Sequence, residues 1–248
     1  LLAFALIGQP RLERTVRRRR RRRQKLAINL SRHEAELLEL HAIRRLEGME
    51  PGIGKLMKLA TRVSASPATY GNLVRIYRNE EQSIQTICEA IEAACHHVHL
   101  EYYIFRGDST GCMVRDALVA AARRGVECRV LMDYIGCWST SRAFIRSMRD
   151  AGVEVDYFLP VVPWQGRWRI NFRNHRKILV VDGHFAFTGS HNIGDEYRGR
   201  HPTLSPWQDT NLSINGPAVQ QLQEIFVEDW HYSSGIELTS NAYFPHPG

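Results

Sequence analysis

His175, Lys177, Ser190 and Asn192 are the residues whose types and spacing could do chemistry in this 248-residue chain. They lie in one run, NHRKILVVDGHFAFTGSHN, at 174–192. Two apolar arms, Ile178-Leu179-Val180-Val181 and Phe185-Ala186-Phe187, flank Asp182-Gly183, a favoured turn pair, so the run predicts a β-hairpin. Side chains two apart on a strand share a face. His175 and Lys177 therefore point the same way, and so do Ser190 and Asn192 at the end of the other arm. Those groups suit a phosphodiester. An imidazole can attack phosphorus, a lysine neutralises non-bridging oxygens, and a hydroxyl and an amide donate to the same oxygens as charge develops. Asp182 has the opposite parity from His175 and reads as a turn or structural carboxylate that could pair a neighbouring base.

The full spacing, H-x-K-x4-D-x6-G-S-x-N, arises by chance on the order of once in 10⁷ starts at average residue usage. Around it, Asn79 with Gln82 predicts the capped start of a helix with Ile84, Ile87, Cys88, Ile91 and Cys95 on one face. HVHLEYYIF alternates like a strand. RDALVAAARRG reads as a helix stopped by Gly125, VECRVLMD as a strand, TSRAFIRSMRDAG as a helix stopped by Gly152, and VEVDYFL as a strand. DTNLSI follows the hairpin as a further strand, and a closing helix spans about Pro217 to His231. Strands alternating with helices predict an α/β domain with a mixed, largely parallel sheet flanked by helices. Upstream, the capping box Ser31-x-x-Glu34 predicts a helix to about Glu47, and residues 49–72 read as a linker. The expected organisation is an arm at 1–25, a short helix and linker at 26–72, a catalytic domain at 73–235 and a tail at 236–248.

The formal charge is +7, but residues 11–25 alone carry +9, which leaves the remainder at −2. A slightly acidic body argues against a non-specific nucleic-acid binder. The arm follows LLAFALIG, an apolar stretch far short of a roughly 20-residue membrane span. With the seven consecutive arginines behind it, that stretch reads as the cut end of a transmembrane helix and its cytoplasmic flank. Five scattered cysteines without a C-x-x-C pair fit a reducing compartment, and Cys88 and Cys95 read as packing residues.

The motif matches the signature of the phospholipase D superfamily. Together with HLEYYIF, GSHNIGDEY, WQDTNLSI and FVEDW it resembles the first catalytic half of a bacterial cardiolipin synthase, over about Leu73 to Trp230. The resemblance implies a metal-independent, cofactor-free, two-step phosphatidyl transfer through phosphohistidine, joining two phosphatidylglycerols and releasing glycerol. By position, His175 is the histidine, Lys177 and Asn192 hold the phosphate, Ser190 supports them, and Asp182 takes the motif's third named place. Asp209 on the following strand is the candidate partner for the Nδ1–H of His175, fixing its tautomer. Glu101, Tyr102 and Tyr103 could line the cleft, although the aromatics fit a core better. His184 and His191 do not form a metal-ligand set. The family carries two such motifs per site, and this sequence has one. A second motif is therefore expected from a homodimer partner or a missing C-terminal half. Partners are then phosphatidylglycerol and an anionic membrane, at the cytoplasmic face of a bacterial inner membrane. Two rival readings remain open: a single-motif homodimeric phosphodiesterase or nuclease, and an inactive anionic-lipid-binding fragment.

Overall fold

A computed structural model of the chain describes residues 51–64, 68–160, 173–199 and 208–245. It divides into two units, Leu1–Gly71 and Asn72–Gly248. In the first, α1 (Pro51–Ser64) occupies the stretch read from sequence as a linker. Pro51 is tolerated at the first helical position, where its missing N–H has no partner to lose. The helix expected at Ser31–Glu47 lies outside the described residues.

The second unit is a seven-stranded sheet in the order β1-β7-β6-β5-β2-β3-β4. Its elements are β1 (Leu73–Tyr77), α2 (Glu80–Glu92), β2 (His97–Tyr102), α3 (Ser109–Arg123), β3 (Glu127–Asp133), α4 (Arg142–Arg149), β4 (Glu154–Phe158), β5 (Lys177–Val181), β6 (Phe185–Gly189), β7 (Asn211–Asn215) and α5 (Ala218–Ser234). Only β2–β3 and β3–β4 pair in parallel. The other pairings, β1–β7, β7–β6, β6–β5 and β5–β2, are antiparallel. The sheet is thus mixed but mostly antiparallel, which corrects the largely parallel expectation. Helical crossovers α3 and α4 impose parallel neighbours on β2, β3 and β4, whereas the tight hairpin forces β5 and β6 to run opposite ways. Strand–helix alternation does not report that insertion.

Local signals mostly do what they predict. Gln82 N donates to Asn79 Oδ1 at 3.0 Å, capping α2. Ile84, Ile87 and Ile91 then bury one face of α2, while Cys88 is half-buried and Cys95 lies exposed beyond the helix end. Asp182 and Gly183 take φ of 51° and 69°, the two left-handed residues of a type I′ turn. β2 is buried at every position because both faces are covered. Val98, Leu100 and Tyr102 join the core beneath α2, α3 and α4. His99 instead stacks on Phe226 of α5, with ring centroids 4.4 Å apart. Residues 236–245, read as a tail, contribute buried Leu238 and Tyr243 to the α5 side of the sheet. Tyr243 fills the gap beside His97 and His99.

Candidate active site

The parallel strands β2, β3 and β4 end at the same edge where β5 begins, β6 ends and β7 begins. Ligands of open α/β sheets bind at such carboxyl ends. In the sequence Asn174-His175-Arg176-Lys177, alternate residues go to opposite sides. Asn174 and Arg176 reach buried carboxylates: the Asn174 amide donates to Glu101 and, at 3.2 Å, to Asp229 Oδ2 of α5, and Arg176 pairs with Asp229. Asn174 N also donates to Asp133 Oδ2 at 3.2 Å. This network fixes the entry to β5 and leaves His175 exposed on the other side. Glu101 belongs to it, buried behind the strand rather than lining the cleft, and Tyr102 is core.

His175 stacks on Tyr103, with ring centroids 3.9 Å apart at 18°. Lys177 lies over the same ring, its Nζ 5.7 Å from the centroid, and donates to the His175 carbonyl at 2.8 Å. Thr188 Oγ1 donates to the Lys177 carbonyl at 2.8 Å, tying the two arms together at this point. Desolvation lowers the Lys177 pKa and Asp209 opposes it. The Lys177 amine is thus half-buried and close enough to Asp209 to feel it. Asp209 acts electrostatically on Lys177 and on His191.

The second arm arrives over the neighbouring backbone. Ile104 N donates to Asn192 Oδ1 at 3.2 Å, and Ile193 N to Ile104 O at 3.1 Å. Asn192 also bonds the Tyr197 hydroxyl, whose pKa burial and Glu196 push up to about 12. An amide has two N–H groups, so one remains for a ligand. Ser190 is exposed and shares Oγ with Thr210, accepting from Thr210 N at 3.1 Å. Gly189 before it has φ of 152°, and a Cβ there would meet Asn211 Oδ1 at 2.4 Å. No side chain fits between β6 and β7 at that point, which explains the glycine of the Gly-Ser pair. His191 N donates to Asn211 Oδ1 at 3.1 Å, so Asn211 sets the path of the loop.

The fold therefore gathers His175, Lys177, Ser190 and Asn192 at one edge, with Asp209 beside Lys177. It does not bring Asp182 there. Asp182 sits at the far end of β5, roughly 20 Å along the strand from His175. Its carboxylate accepts from Cys95 N, His96 N and His97 N, each at 2.8 Å. The resemblance places Asp182 in the motif with His175 and Lys177, but its position and bonds give it the structural role its parity predicts, with main chain rather than a base as its partner. Sequence reasoning missed Asn174, Arg176, Asp229, Thr210 and Asn211. The alternation within Asn174–Lys177 was the one signal that could have found the first two. His184 is exposed at the turn and His191 is buried near the site. Among the described residues no three His, Cys, Asp or Glu side chains are placed to hold a metal ion.

A family model described as the cardiolipin synthase, PLD-like domain matches residues 87–230. The chain belongs to this family. The cardiolipin synthase of Geobacillus sp. (strain WCH70) is 45% identical over 189 residues, covering 76% of this chain and 38% of that protein. The cardiolipin synthase of Geobacillus kaustophilus is 42% identical over 207 residues, covering 83% and 41%. The chain thus spans about two-fifths of the length of these curated relatives. Among solved structures, NucT from Helicobacter pylori aligns with a TM-score of 0.51 at 13% identity, covering 66% of this chain and 98% of that one. That likeness shows a shared fold, and the PLD-like label comes from the family model.

Proposed function

We propose that this chain is the motif-bearing half of a cardiolipin synthase-type phosphatidyltransferase, acting on phosphatidylglycerol through a phosphohistidine at His175. The observation that carries the reading is His175 itself: exposed, held flat on Tyr103, with the Lys177 ammonium over the same ring. In the first step a ring nitrogen of His175 attacks phosphorus, the bond to the glycerol oxygen breaks, and glycerol leaves with a proton. In the second, a hydroxyl of another phosphatidylglycerol gives up its proton and attacks the phosphohistidine, restoring the imidazole and forming cardiolipin. Lys177 and the remaining N–H of Asn192 hold the non-bridging oxygens, with Ser190 supporting them. Asp209 is assigned the Nδ1–H of His175, which keeps the opposite nitrogen free for attack.

Attack and departure lie roughly in line on opposite sides of phosphorus, so His175 cannot also protonate the leaving alkoxide. A second imidazole must face it, from a homodimer partner or from another stretch of a longer polypeptide. The family membership and the relatives' name, cardiolipin synthase, support a lipid surface as the place of work, with the 11–25 arm attracted to anionic headgroups at about 1 kcal/mol per basic residue. We assign the domain to the cytoplasmic face of a bacterial membrane. Among the described residues no helix is long and apolar enough to cross one.

The test is a quenched reaction with phosphatidylglycerol labelled at phosphorus. Acid-labile, base-stable label on His175 is the expected result. Label on serine, or turnover of an oligonucleotide with none of the lipid, overturns the reading.

A further inference from the structure

Beyond the site, one surface of the second unit combines an outward aromatic with a row of cations: α4 and the loop that leads into it. Trp138 is 78% exposed, the most open of the large apolar side chains among the described residues. Its loop is nonetheless tightly held. Trp138 N donates to Ile135 O at 3.1 Å and Thr140 N to Cys137 O at 3.0 Å. Thr140 Oγ1 reaches Phe105 O at 2.5 Å, and Phe105 N donates to Cys137 Sγ at 3.3 Å. The indole is therefore presented to solvent by a fixed turn.

On α4 the apolar residues Phe144, Ile145 and Met148 are buried, and Arg142, Arg146 and Arg149 occupy the outward face. Arg149 gives one N–H to Val155 O at 2.8 Å. Arg142 and Arg146 have no ion-pair partner among the described residues. Like charges four apart weaken a helix slightly, and Arg142 in the first turn opposes the helix dipole, whereas Arg146 and Arg149 suit the last turn. The row stands out on a body that, without the 11–25 arm, carries −2. Nearby, Arg115 of α3 lies 5.1 Å over the Phe144 ring, with its charge answered by Asp116 at 2.8 Å.

We propose that Trp138 and the arginine face of α4 dock the catalytic unit on an anionic lipid surface, with Trp138 entering the headgroup boundary and Arg142 and Arg146 meeting lipid phosphates. The inference rests on the lipid reading of the active site and assigns it a landing surface. Basic residues beside an outward indole are the composition of an interfacial contact. A nucleic-acid duplex would answer the arginines but offers the outward indole of Trp138 no apolar boundary to enter. The loop is built on residues 103–106, and Tyr103 carries His175, so docking brings the mouth of the site to the source of its substrate.

The experiment uses the full chain with phosphatidylglycerol–phosphatidylcholine vesicles whose acyl chains are brominated near the headgroup. Bromine is expected to quench a share of tryptophan emission that Trp138→Phe lacks. Arg142→Gln with Arg146→Gln should weaken vesicle affinity roughly 25-fold at low salt, from about fivefold per arginine. Equal fractional quenching in wild type and Trp138→Phe, or unchanged affinity in the double variant, overturns the proposal. So does a duplex oligonucleotide that displaces vesicles and shields Trp138 from acrylamide. Phosphohistidine formation from short-chain, monomeric phosphatidylglycerol, measured with the second motif supplied, should be equal in all variants. Its absence from wild type would count against the lipid reading of His175 and not against the vesicle contact.

Discussion

The two ends of the β5–β6 hairpin use polar residues in opposite ways. At the site end, His175 and Ser190 are exposed and Lys177 is half-buried, and each keeps capacity for a ligand. At the turn end, Asp182 is saturated. Burial would raise its pKa, but three backbone N–H groups outweigh that and hold it below the usual carboxylate range. A carboxylate so filled has little basicity left for chemistry. It ties the α2–β2 junction to the turn and so sets where β2 lies against β5. One short motif thus holds a reacting end and an anchoring end, and the difference lies in how many partners each polar group already has.

That contrast can be broken most severely at His175. His175→Ala should cut turnover by on the order of 10⁴-fold or more, measured in an assembly that supplies the second imidazole, with the melting curve unchanged because the side chain is exposed. Retained turnover would remove His175 from the mechanism. Lys177→Met should lower kcat by about 10² to 10³-fold, the scale of one lost donor to a developing negative charge. A change in KM alone would make it only a binding residue.

Asp182→Ala should do the reverse. Three main-chain donors lose a charged acceptor, so the unfolding free energy should drop by about 2–4 kcal/mol in urea titrations. Activity per folded molecule should stay near wild type. A large activity loss at full stability would return Asp182 to the chemistry.

Acidification gives the smallest effect per residue. Burial lowers the pKa of His97, at the turn end, and of His191, near the site, to about 4, and puts His99 well below its ordinary value. Unfolded histidines titrate near 6.5. Between that value and about 4 the unfolded chain binds protons that the folded chain refuses, so stability is full above 6.5 and falls as pH drops. The slope is at most about 1.4 kcal/mol per pH unit for each histidine. Urea midpoints at pH 7 and pH 5 check it, and His97→Asn should flatten the dependence. A midpoint independent of pH would mean these imidazoles are not buried neutral.

Much of this was legible in the sequence because it is local. The Asp182-Gly183 turn, the Asn79 cap and the period-2 placement of His175 with Lys177 depend on residues within a few positions of one another, and short-range sterics and hydrogen bonding decide them. The site edge follows from those signals, since a hairpin with known facing must carry His175 and Ser190 at its open end. Tertiary structure alone decided who meets whom. Asp182 finds its donors 85 to 87 residues away, and Asn174 finds Asp229 across 55. It also decided that β5 joins β2 antiparallel, that residues 236–245 pack against the sheet, and that Tyr103 lies beneath His175. Such pairings are selected by which buried polar groups can be satisfied together and which apolar faces close over one another. That is a property of the assembled core, and no window of neighbouring residues contains it.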